Sequence, residues 1–160
     1  MTSKSGTAAA RALLSKPSHE YSPLPANLGA ERAILGAILE DAAIRSAVLR
    51  EGLTADDFSF SEHQLTWKTV QEMHREGLPI DLISVLDRAP EISGATLAET
   101  IHGVVLDQSH ILHHTTIVKR KSRLRRLLHL GEWITTQAYL PTADPQAIEA
   151  RIAAELGVQQ

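Results

Sequence analysis

A length of 160 residues is enough for one modest domain, or one domain with an appendage, that buries a core. With 43% apolar but only 4% aromatic residues, that core is built from Leu, Ile, Val and Ala, and the scarcity of strand-like alternation points to an all-α fold. A net charge of −3 supplies no overall basic field for nucleic acid, and the absence of Cys excludes disulfides and thiolate metal sites. No apolar run approaches the roughly 18 residues of a membrane span and no signal-peptide region opens the chain, so a cytoplasmic protein without membrane contact is expected.

Residues 1–23 are rich in Ser, Thr, Ala and Pro, with Lys4, Arg11 and Lys16 against Glu20, and are expected to form a flexible tail. A first helix follows near Leu28. Asn27 can cap it, Glu31 places a negative charge in its first turn, and Leu28, Ile34, Leu35, Ile38 and Leu39 form its apolar stripe, with Glu31, Arg32 and Glu40 facing elsewhere. Ile44, Ala47 and Val48 mark a second helix ending near Gly52, which accepts the left-handed C-terminal conformation. Thr54-Ala55-Asp56-Asp57 has the form of a capping box, and Phe58 and Phe60 behind it are expected to plug the bundle.

Ser61-Glu62-His63-Gln64 has the form of another capping box. The helix it opens carries Thr66, Trp67, Val70, Met73 and His74 along one side and stops at Gly77 and Pro79. Asp81 caps the next helix, which brings in Leu82, Ile83, Val85 and Leu86 and ends before Pro90. A further short helix is expected to start at Thr96, with Leu97, Ile101, Val104 and Val105 inside. From about His110 the helical spacing runs through Ile111, Ile117, Leu124, Leu127, Leu128 and Ile134 for about 28 residues, or about 40 Å. That exceeds what the bundle needs. Pro141 closes it, Asp144-Pro145 is a cap followed by a first-turn proline, and Ile148, Ile152 and Leu156 return along a shorter helix to Gly157. The expected organisation is a tail (1–23), a small helical bundle (24–107) and a long antiparallel helical hairpin (108–157).

The wording of these elements is more specific than their pattern. Pro25-x-Asn27-x-x-Ala30-Glu31-x-x-x-Leu35-Gly36-x-x-Leu39 is followed in order by Asp56-Asp57-Phe58, His63, Trp67, Ile80-Asp81, Ile117-Val118 and Ser122-x-x-Arg125-x-Leu127. This order resembles the N-terminal domain of bacterial replicative DNA helicases of the DnaB type, over roughly residues 23–156. The likeness departs at His114, near which the family usually has an aromatic residue. It implies an assembly and docking role in DNA replication: pairing through the hairpins into a dimer or trimer of dimers, a collar on the helicase ring, and binding of the bacterial primase and the helicase loader.

The chemistry of a helicase motor is not implied. A phosphate loop reads Gly-x-x-x-x-Gly-Lys-Ser/Thr, and none of the glycines here precedes a lysine, so the chain is not expected to act as an ATPase by itself. No catalytic residue, metal or cofactor is expected. His110, His113 and His114 have metal-like spacing but lack carboxylates beyond Asp107, and are taken as exposed side chains at a helix entrance. Asp56 and Asp57 are taken as caps, and His63 and His74 as residues of the core edge or surface.

The run Lys119-Arg120-Lys121-Ser122-Arg123-Leu124-Arg125-Arg126 places six cations in eight positions. Lys119, Arg123 and Arg126 share a face and can contact phosphates or acidic residues of a neighbouring subunit. No aromatic residue interleaves them, which disfavours base stacking and leaves DNA contact weak or indirect. Ile117, Leu124, Leu128, Ile148 and Ile152 are the candidate oligomer interface. Two alternatives stand beside the docking role: a standalone regulator that co-assembles with or blocks a full-length replicative helicase, and a nucleic-acid-binding module using residues 119–126.

Overall fold

The computed structural model describes residues 23–101 and 107–157. The expected tail before Pro23, and Val104 and Val105, lie outside the described residues, as does the side chain of Ile101. Among the described residues there are seven α-helices and one 3-10 turn, and no strand: α1 (Leu28–Glu40), α2 (Ala42–Arg50), the turn (Ala55–Asp57), α3 (Ser61–Glu76), α4 (Leu82–Arg88), α5 (Gly94–Ile101), α6 (Gln108–Ala138) and α7 (Pro145–Leu156).

Local chemistry accounts for most of the helix ends. Asn27 Oδ1 accepts from the Ala30 amide at 2.9 Å, Asp41 Oδ1 from Ala43 and Ile44 at 2.7 and 3.0 Å, and Asp81 Oδ1 from Ser84 at 2.9 Å. The turn closes because the Asp57 carboxylate accepts from both Thr54 N (2.8 Å) and Thr54 Oγ1 (3.1 Å). Gly77 ends α3 at φ +69°, where a side chain would be strained. Two expected starts shift. Ser61 is the first residue of α3 and makes no cap bond; Phe60 is the N-cap and Gln64 Nε2 donates to the Phe58 carbonyl at 2.8 Å instead. Likewise α5 begins at Gly94, with the Ser93 hydroxyl accepting from the Thr96 amide at 3.3 Å.

The core is one cluster in which α1 is central, packing on α2, α3, α5 and α6. Ile34, Leu35 and Ile38 of α1 are fully enclosed together with Val48, Phe58, Trp67, Val70 and Val85. The Phe58 and Trp67 rings stand 5.4 Å apart, and Trp67 Nε1 donates to the Leu53 carbonyl at 3.2 Å, so the largest side chain is both buried and satisfied. Periodicity overstated three members: Leu28, Phe60 and Ile83 are exposed, Ile83 by 79%.

The long helix belongs to the bundle and to the hairpin at once. Ile111 and Val118 of α6 lie in the same core cluster, and Thr115 and Ser122 are buried beside them. At 31 residues α6 is about 46 Å long, so its second half leaves the bundle behind. Beyond Arg126 it packs on α7, which returns alongside it after the closure at Pro141 and ends at Gly157, φ +67°.

Candidate functional site

Arg125 marks where the long helix departs. Its guanidinium is 8% exposed and donates to three backbone carbonyls, Pro25 at 2.8 Å, Asp57 at 2.7 Å and Asp56 at 3.3 Å. A rigid planar fork suits such a task, because it can serve all three carbonyls at once, the Asp57 one in a buried place. The cationic run is therefore split by function. Lys119 donates to the Glu51 carbonyl and lies 3.4 Å from the Glu51 carboxylate, and exposed Arg126 stands 3.9 Å from Asp57 Oδ1. Arg120 and Arg123 are exposed, and Lys121 is half-buried. Of the three cations expected to share a face, two thus meet acids of their own chain.

Beyond Arg125 no described residue of α6 or α7 is buried. Leu124, Leu127 and Leu128 are 39 to 43% exposed, and Leu140 and Leu156 are close behind. Ile148 and Ile152 are half-covered by α6. Ile117 does not continue this stripe, since it packs against the bundle core. The arms of the hairpin are held by the Arg151 guanidinium over the Trp133 ring, 4.2 Å from its centroid, and by contacts around an open cleft lined by Arg123, Arg126, Leu127, Leu130 and Leu156. Such a surface exposes leucines at its base and near its tip, with cations at its base. It is suited to burying leucines against a neighbour rather than to covalent chemistry.

The structure also assembles a buried polar centre that spacing did not indicate. Glu31, expected to face away from the apolar stripe, is 1% exposed, and His63, expected at the core edge, is 3% exposed. Glu31 Oε2 lies 2.8 Å from His63 Nδ1, while Oε1 accepts from Ser59 N (2.9 Å) and Ser59 Oγ (2.6 Å). Burial pushes the Glu31 carboxyl up, but the hydrogen bonds from His63 and Ser59 outweigh it and hold the group below its ordinary value of 4.5. The ionised carboxylate accepts only, so His63 carries its proton on Nδ1. This centre joins α1 to α3 and to the segment before α3. Its partners are 28 and 32 residues apart, a separation no periodicity reports.

At the other end of α6, Asp107 caps the helix, and hydrogen bonds from Ser109 and from the His110 amide bring its carboxyl down to about 2. His110 pairs with it at 3.0 Å, His113 is exposed and His114 is half-buried. Among the described residues no group of His, Asp and Glu is arranged to hold a metal, and no helix is long and apolar enough to cross a membrane.

A family model described as the DnaB-like helicase N-terminal domain matches residues 23–120. The replicative DNA helicase DnaC of Bacillus subtilis (strain 168) is 33% identical over 122 residues, which are 72% of this chain and 26% of the relative. The replicative DNA helicase DnaB of Geobacillus stearothermophilus is 30% identical over the same length and shares. The crystal structure of the N-terminal domain of DnaB helicase from Mycobacterium tuberculosis superposes with a TM-score of 0.73 at 27% identity, covering 84% of this chain and 99% of that one. The structure of a DnaB-like replicative helicase and its interactions with primase shares the fold, with a TM-score of 0.59 at 21% identity over 84% of this chain and 36% of that one. The chain thus spans about a quarter of the length of the curated relatives it matches.

Proposed function

The chain belongs to the DnaB-like helicase N-terminal domain family, and from that premise we propose that it acts in DNA replication as an assembly and protein-docking module. In this reading it self-associates through the α6–α7 hairpin and presents the assembled surface to the primase, with a helicase loader as a further ligand. One observation carries the proposal: past Arg125 the hairpin buries none of its described side chains, yet with Leu124 just before that residue it exposes Leu127, Leu128 and Leu156 on long, regular helices. Covering one such side chain fully is worth about 1.5–3 kcal/mol, so a few of them suffice to drive association. A DnaB-like replicative helicase with this fold has been solved with its interactions with primase, which supports primase as the docked partner. Nucleic-acid binding is less favoured, because Lys119, Arg125 and Arg126 are engaged within the chain.

Size-exclusion chromatography with purified bacterial primase tests the docking role. Wild-type protein should co-elute with primase. Leu128→Asp should elute apart from it, whereas Lys68→Ala, on the exposed side of α3, should behave as wild type. Separate elution of wild type and primase at all concentrations would remove primase from the proposal. Nucleotide hydrolysis by the pure chain would contradict the module reading itself, since its sequence lacks a phosphate loop.

A further inference from the structure

The first two turns of α6 hold three imidazoles, His110, His113 and His114, just where the long helix enters the bundle core at Ile111, Thr115 and Val118. His114 is half-buried, and its Nδ1 is enclosed by protein without a hydrogen-bond partner. The His113 ring lies beside it, 6.5 Å between centroids. The acid at this end of the helix is already occupied, because Asp107 Oδ1 accepts from Ser109 Oγ at 2.6 Å and from the His110 amide and His110 Nδ1 at 3.0 Å.

None of the described acids on the elements packed against α6 is paired with His114. On α1, Glu31 is held by His63 and Ser59, Arg32 pairs with Glu99 at 3.7 Å, and Glu40 is exposed. On α2 and just after it, Arg45 donates to the Ile38 and Ile80 carbonyls, Arg50 is exposed, and Glu51 pairs with Lys119. On the 3-10 turn, Asp56 is exposed and Asp57 faces Arg126. On α7, Arg151 pairs with Glu155 and Glu149 is exposed. None of the ion pairs among the described residues includes His114.

We propose that this histidine cluster makes the junction between the bundle and the long helix a proton-sensitive joint, closed when His114 is neutral and loosened when it is charged. A charged His114 would sit in a partly dry place, beside His113 and His110, with no acid paired to it among the described residues. Burial, then the charges of His113 and His110, hold the His114 imidazole below its ordinary 6.5. A histidine whose folded value is depressed contributes stability that is complete above its unfolded value, and that is lost as pH falls below about 6.5 towards the folded value. The joint therefore loosens on mild acidification, independently of whatever binds the hairpin.

Amide hydrogen exchange over residues 111–118, corrected for the intrinsic rate and followed from about pH 7.5 to about pH 5.5 across the ordinary imidazole range, tests the proposal. The opening equilibrium of this segment should rise below pH 6.5 by up to about tenfold per pH unit, the limit for one proton. In His114→Gln that dependence should vanish, while in His63→Gln it should persist. Equal pH dependence in wild type and His114→Gln would overturn the joint, as would flat protection in wild type. Should His114→Gln fail to fold, an NMR titration of the wild-type imidazoles decides. Protection of 111–118 that follows the His114 curve supports the joint, and protection that follows the His63 curve or none overturns it.

Discussion

Single side chains divide into those that fasten the bundle and those left exposed on the hairpin. Glu31 belongs to the first group, since its carboxylate gathers Ser59 and His63 around one buried charge. Replacing His63 with Ala should cost about 3–5 kcal/mol, because a buried carboxylate loses its partner, and urea denaturation at neutral pH measures it. Glu31 itself is held below its ordinary 4.5, so its contribution is present above about pH 4.5 and disappears as pH falls through the folded value. Glu31→Gln should flatten that acid limb of the stability profile; an unchanged limb would show that another carboxylate controls it. Arg125→Met should cost about 3 kcal/mol by stranding the carbonyls of Pro25, Asp56 and Asp57, whereas exposed Arg123→Met should stay within about 0.5 kcal/mol. In the sequence these two arginines are equivalent members of one cationic run. What separates them is the alignment of Arg125 with Ile111, Thr115, Val118 and Ser122, an inward face that becomes visible only when polar residues are admitted to it.

At the scale of elements, the sequence was most legible where one residue settles an end by itself. Asn27, Asp81 and Asp144, read as caps, each cap a helix through their own carboxylate or amide, Asp41 and Asp107 do the same without having been read so, and Gly77 and Gly157 end their helices in the left-handed region. Where two residues can play the same part, spacing misled: Ser61 yielded to Phe60, and Thr96 to Ser93. Apolar character alone could not tell buried Phe58 from exposed Phe60, because the backbone bends into α3 between them and turns only the first ring inward. The hairpin offers a sharper test of what its outer face is for. Leu124, Leu128, Gly131 and Thr135 follow one another at helical spacing, all exposed, and a Cβ at Gly131 would meet nothing within 4 Å. In a Leu128→Asp background, Gly131→Ala should therefore stabilise α6 by about 0.5–1 kcal/mol in thermal melts. If a neighbouring chain packs closely along this face, the gain should shrink in the otherwise wild-type protein; an identical gain in both would place the contact elsewhere.

For the whole molecule, the bundle explains its own stability and the hairpin does not. The bundle encloses Trp67, Phe58 and Ile34, Leu35 and Ile38 of α1, with the Trp67 indole paired, while α6 beyond Arg125 and all of α7 bury nothing among the described residues. An all-α bundle with a projecting hairpin was legible from periodicity, and family membership from the order of short motifs. The buried Glu31–His63 pair was not, because it depends on two helices meeting. On the proposed function, the uncovered hairpin joins copies of the chain. Sedimentation velocity of wild type and Leu128→Asp over a concentration series measures this most directly. Wild type should show mass above the monomer that grows with concentration, and the variant should sediment as a monomer with unchanged helical circular dichroism. A wild-type protein that remains monomeric throughout, or an assembly that the substitution leaves intact, would contradict it.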